Sequence, residues 1–175
     1  SQGLWKDHYE TGELKSEGKY KNSKRVGEWK FYFPDKTMEV VGSYSAKGKY
    51  EGEWKWYYPN HELMRVAHYE DGILEGDFVE YDMEGNIQTQ GQYEEGSEEG
   101  YWYYRNGTVV EEGNFETGLR SGLWKIWYEP QKIFVEMEYQ EDLLNGNYTI
   151  YYENNVIKRS GKYVKGEKNG IWRDY

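Results

Sequence analysis

The chain of 175 residues has no cysteine, three prolines and three histidines. The missing cysteine excludes a disulfide framework and a thiolate metal site. No apolar run approaches the ~18 residues of a membrane-spanning helix, so no transmembrane segment is expected. His8, His61 and His68 form no spaced set with carboxylates that reads as a metal signature. They are expected to be ordinary surface residues, and no metal or other cofactor is expected. There is no G-x-S-x-G elbow, and Ser16, Ser43 and Ser160 stand beside no obvious base. No G-x-x-x-x-G-K-[ST] loop is present either. Two carboxylates suffice for a glycosidase, but among 32 acidic residues no pair stands out. The expectation is a protein that is not an enzyme. The chain begins at Ser1 and shows no signal peptide. The cytoplasm is the expected compartment, with a periplasmic or envelope-anchored location the alternative if a targeting segment has been removed.

What the chain has in excess is glycine, 21 residues, and aromatic residues, 19%, of which 20 are tyrosine. So many rings exclude a disordered chain. Their spacing is periodic. Gly3, Gly27, Gly52, Gly76, Gly100, Gly122, Gly146 and Gly170 recur at intervals of 22 to 25 residues. Two places after each stands a ring: Trp5, Trp29, Trp54, Phe78, Trp102, Trp124, Tyr148 and Trp172. Counting from each such glycine as offset 0, a second set lies near offset +15: Gly18, Gly42, Gly91, Gly113 and Gly161. The fifth repeat is two residues short.

Within a repeat the apolar residues alternate, as in Trp54-Trp56-Tyr58 and Met38-Val40-Gly42-Tyr44. A period of two indicates strands. Turn chemistry separates them, at Asn106-Gly107, Pro34-Asp35 and Pro59-Asn60 within repeats and at Asp71-Gly72, Glu95-Gly96 and Lys165-Gly166 between them. Each repeat therefore reads as one β-hairpin. Residues 1–175 read as one array of about seven hairpins plus a half-repeat: an all-β, elongated, single-layer antiparallel meander.

Symmetric pairing about the hairpin turn sets the ring at +2 opposite the glycine at +15, and the Tyr at +17 opposite the glycine at 0. Each ring is then expected to lie over the glycine it faces, an aromatic rescue. Ala67 opposite Trp54 and Met137 opposite Trp124 break the pattern, and shifted ring positions are expected there.

The pattern G-x-W-x-x-Y-Y-x-N-G followed by G-x-Y-x-x-G-x-x-x-G-x-W resembles the MORN repeat in its bacterial variant form. Gly3-Leu4-Trp5 with Thr11-Gly12 and Gly18-Lys19-Tyr20 carries it, as does Gly146 to Tyr152 with Gly161-Lys162-Tyr163. The resemblance implies scaffolding, membrane association or protein binding. Similar proteins in the YwqK-like group are labelled antitoxins, which implies a toxin as partner.

The formal charge is −10. It disfavours nucleic acid, whose binding rests on neutralising phosphates with Lys and Arg. Residues 70–116 hold 14 acidic residues and a single cation, Arg105, while both flanks are nearly neutral. This stretch is the expected docking surface for a basic protein, such as a toxin with a positive groove. The expected contact residues are Asp77, Glu80, Glu94, Glu95, Glu98, Glu99, Glu111 and Glu112, with Tyr81, Trp102 and Tyr104 as anchors. A solvated acidic stretch that keeps a β-rich chain soluble is the simpler reading of the same charges. A structural scaffold and a carbohydrate-binding module are the other functional readings. The oligomeric state is left open. A further row at offset +5, Tyr32, Tyr57, Tyr81, Trp127 and Tyr151, falls on the opposite sheet face and supplies rings for binding or for cross-strand cover.

Overall fold

A computed structural model describes residues 3–128 and 132–175, and among them every regular element is a β-strand. These are β1 (Leu4–His8), β2 (Leu14–Lys21), β3 (Lys24–Tyr32), β4 (Met38–Tyr44), β5 (Tyr50–Tyr57), β6 (Leu63–Glu70), β7 (Ile73–Tyr81), β8 (Ile87–Glu94), β9 (Ser97–Asn106), β10 (Val109–Glu116), β11 (Leu119–Tyr128), β12 (Lys132–Gln140), β13 (Leu143–Tyr151), β14 (Ile157–Val164) and β15 (Glu167–Asp174). Strand order in the sheet is chain order, without a crossover. The chain forms two compact units. The first runs to Ile87 and includes Tyr93–Gly96; the second takes Gln88–Gln92 and everything from Ser97 onward.

The hairpins follow the expected register. Trp29 faces Gly42, Trp102 faces Gly113 and Tyr148 faces Gly161, while Gly27 faces Tyr44 and Gly122 faces Tyr139. Their turns close with paired bonds, as where Phe33 N–H donates to Thr37 O and Lys36 N–H to Phe33 O. A left-handed residue completes each such turn: Gly12, Lys36, His61, Gly85 or Asn155. The short fifth hairpin differs. Asn106 pairs directly with Val109 across Gly107-Thr108, and the one-residue bulge between Phe31/Tyr32 and Val40/Met38 in the second hairpin has no counterpart. Between repeats, two-residue turns with both φ positive, such as Asp71-Gly72 (48°, 87°) and Asn22-Ser23 (50°, 62°), are type I′, whose twist matches the strands.

Ring placement departs from the expectation. The ring that covers a +15 glycine comes from the next repeat, across the other edge of the strand. At the junction of β4 and β5, Val41 pairs with Lys55 and Ser43 with Glu51, so Gly42 alone faces the arch Gly52-Glu53-Trp54. The arch needs the left-handed φ of +68° at Gly52, a position with open space around it and no covering ring. It folds the Trp54 indole onto Gly42, where a Cβ would overlap the indole. The indole N–H donates to Ser43 O at 3.1 Å. The same placing of ring over glycine joins Trp29 to Gly18, Trp102 to Gly91, Trp124 to Gly113 and Trp172 to Gly161, and the indole N–H donates likewise from Trp29 to Lys19 O and from Trp124 to Asn114 O. Trp29, Trp54, Trp102 and Trp124 are at most 1% exposed. Edge-to-face rings such as Tyr44 on Trp54, at 5.0 Å, surround them and form most of the core.

Two junctions use another device. Where +15 is Ala67 or Met137, the next ring is Phe78 or Tyr148 instead of Trp, and the arch slides by one residue to face His68 or Glu138. There a polar side chain fills the arch. His68 Nδ1 lies 3.1 Å from Asp77 O, and the Glu138 carboxylate accepts from Asn147 N–H at 2.6 Å. Trp54 and Trp124, which face Ala67 and Met137, keep the ordinary place over Gly42 and Gly113, so the shift expected of those rings is not found; what shifts is the arch on the far side of the strand.

Candidate interaction surface

The carboxylates of the acidic stretch are divided between the two units, and several in each are used internally. In the first unit, Glu80 accepts from Arg65 Nε at 2.7 Å. That guanidinium lies over the rings of Trp56 and Phe78. In the second unit, Glu111 stands 3.4 Å from Arg120, whose guanidinium lies 4.7 Å from the Trp124 ring centroid. Glu80 and Glu111 are therefore counter-ions to arginines that cap the aromatic core.

Glu99 belongs to a periodic bracket. At four offset-0 glycines the preceding residue accepts from the backbone of the next inter-repeat turn: Glu51 from Asp71 N–H, Glu75 from Glu95 N–H, Glu99 from Thr117 N–H and Asn145 from Lys165 N–H. The adjacent turn N–H groups donate to carbonyls two residues before the glycine, as Gly96 to Leu74 and Gly118 to Glu98. Each turn is thereby hung on its predecessor.

Glu112 accepts from the Tyr101 hydroxyl at 2.8 Å, and burial together with this carboxylate pushes the phenol up to about 12. Tyr101, which the sequence reading passed over, is 53% exposed. The signal for it was its offset, +1, where Glu28, Glu53 and Asp77 stand in other repeats. Tyr32 and Tyr151 in the +5 row are likewise pushed up to about 12, by burial and by the carboxylates of Glu17 and Glu136 that they donate to. These two rings are half-buried and tied to the sheet, which favours the cross-strand reading for them.

Among the expected anchors, Trp102 is 1% exposed and locked over Gly91, so it has no surface to offer and is withdrawn from the contact set. Tyr104 is half-buried and stacks on Trp102 at 5.7 Å. Tyr81 is half-buried, and its carbonyl accepts from the Tyr58 hydroxyl at 2.8 Å. Asp77 is exposed, and its carbonyl serves the His68 arch. Glu98 is half-buried. Of the expected contact residues in the first unit, Glu94 at the end of β8 and Glu95 in the turn that follows are an adjacent exposed pair. Among the described residues neither carboxylate has a bonding partner. Ile73, 52% exposed, lies against Gly96 of the same turn.

Among the described residues no three metal-ligating side chains converge, and no helix is long and apolar enough to cross a membrane. Five segments, residues 1–22, 25–46, 50–71, 99–117 and 144–165, match the family described as MORN repeat variant. No curated protein matches the chain.

Proposed function

We propose a function from the premise that the chain belongs to the MORN repeat variant family. MORN repeats are binding modules for proteins and membranes. The reading advanced for this chain is a non-catalytic protein that neutralises a basic toxin by direct contact, as an antitoxin or immunity protein does. The observation that carries it is the turn Glu94-Glu95. Its two adjacent carboxylates are exposed and unpaired beside an exposed Ile73, while Glu80, Glu99, Glu111 and Glu112 are held internally. An apolar contact next to unspent negative charge suits a partner with a basic rim around an apolar centre. The net charge of −10 works against the anionic membrane surface as the alternative target.

The test is co-expression with a basic protein encoded beside this gene, followed by co-purification. The wild-type chain is expected to retain that protein, and the double variant Glu94→Lys, Glu95→Lys to lose it. Retention by the double variant would remove the acidic turn from the account.

A further inference from the structure

Three hairpins are latched to the next at their turn ends by a tyrosine at offset +6, while the second, fourth and fifth carry Phe33, Asp82 and Asn106 there. Tyr9 donates to Tyr32 O at 2.7 Å, Tyr58 to Tyr81 O at 2.8 Å, and Tyr152 to Tyr175 O at 3.2 Å. Tyr128 occupies the same offset in the sixth hairpin, and the matching acceptor is Tyr151 O. Among the described residues that bond is not made; Tyr128 instead leans on Phe134, at 5.8 Å between ring centroids. A groove of about 420 Å³ lies along the described part of the seam between the sixth and seventh hairpins.

The lining explains what the groove can hold. Its aromatic wall is Tyr128, Phe134, Tyr151 and Tyr152, three of them 40–44% exposed. Phe134 and Lys158 are the extra residues of two β-bulges, one in β12 and one in β14, and bulges redirect side chains. Lys158 Nζ stands 5.5 Å from the Tyr152 ring centroid, and Lys132 also lines the opening. Among the described lining residues these two lysines stand against one acid, Glu153, in a chain of net charge −10. The corresponding seam between the first two hairpins is latched by Tyr9, and its hollow is lined by His8, Glu13 and Lys36 without an exposed ring stack. What sets this seam apart from the first is its gathering of exposed rings.

We propose that this groove binds an extended segment of a partner protein, with an aromatic or aliphatic side chain inserted between Tyr128, Phe134 and Tyr152 and flanking carboxylates paired with Lys132 and Lys158. Apolar anchoring sets affinity, and the two lysines set the sign of the partner's charge. The groove lies in the second unit, and Glu94-Glu95 in the first, so the inference does not rest on the toxin reading.

The test is selection of random short peptides on the full chain, followed by fluorescence anisotropy with the enriched peptides. Enrichment of apolar residues flanked by Asp and Glu is expected. Affinity should fall about tenfold or more in Lys132→Glu, Lys158→Glu, and in a separate Phe134→Ala variant. Glu94→Lys, Glu95→Lys should bind these peptides unchanged. Circular dichroism checks that each variant is folded. No enrichment, enrichment of neutral or basic peptides, or full binding by both groove variants would overturn the proposal, as would preferential binding of a neutral oligosaccharide such as cellohexaose.

Discussion

At the scale of single residues, the glycines divide into two kinds that composition alone does not separate. Gly52 is required by its φ of +68°, with nothing within 4 Å of where a Cβ would stand; Gly42 is required by the indole laid on it. Gly42→Ala should cost about 3 kcal/mol, the upper range for overpacking, and Gly52→Ala about 1–2 kcal/mol, the strain of a left-handed alanine. Chemical denaturation measures both. The phenols give a second prediction. Tyr32, Tyr101 and Tyr151 are held at about 12, above the 10.0 of a free tyrosine. The folded state therefore keeps these protons longer than the unfolded chain does. The stability they contribute is complete below pH about 10 and is lost as the pH rises through about 12. An ultraviolet titration should show a late-ionising class of tyrosines, and Glu17→Gln should lower Tyr32 within it, since burial, the larger cause, remains. A single tyrosine transition near the ordinary value would refute the arrangement.

At the scale of strands and turns, the hairpins were legible because alternation, turn residues and spacing all agree. Trp29 opposite Gly42 follows from counting about the hairpin turn. The lock between hairpins was not read, although its trace is in the sequence. Gly18, Gly42, Gly91, Gly113 and Gly161 are each followed in the next repeat by Trp, whereas Ala67 and Met137 are followed by Phe78 and Tyr148. Register within a hairpin is fixed by its own turn, but the arch at the junction changes the count, and a one-to-three mismatch has no signature in alternation. His68 shows the consequence: an ordinary histidine by sequence, it fills an arch. Two substitutions probe this scale. Gly42→Ala combined with Trp54→Phe should cost less than the sum of the single changes, since Ala67 and Phe78 already coexist at one junction. Ser23→Gly, at φ 62° in an exposed type I′ turn, should stabilise by about 1 kcal/mol; a loss in melting temperature would contradict the turn assignment.

At the scale of the whole molecule, the charge of −10 is a poor guide until its carboxylates are separated by use. The excess in residues 70–116 was visible from counting. Its division was not, because Glu80 and Glu111 meet arginines from neighbouring strands, and Glu99 meets a turn 18 residues further on. Removing the internal carboxylates leaves Glu94 and Glu95 as an adjacent, exposed pair in the first unit, neither held by a described neighbour. The measurement that tests this most directly is titration calorimetry of the chain against a purified basic protein encoded beside its gene, the proposed partner. The account predicts binding that weakens as salt rises and disappears in Glu94→Lys, Glu95→Lys while the variant keeps its β-sheet spectrum. Equal affinity of wild type and variant, or affinity indifferent to salt, would contradict it.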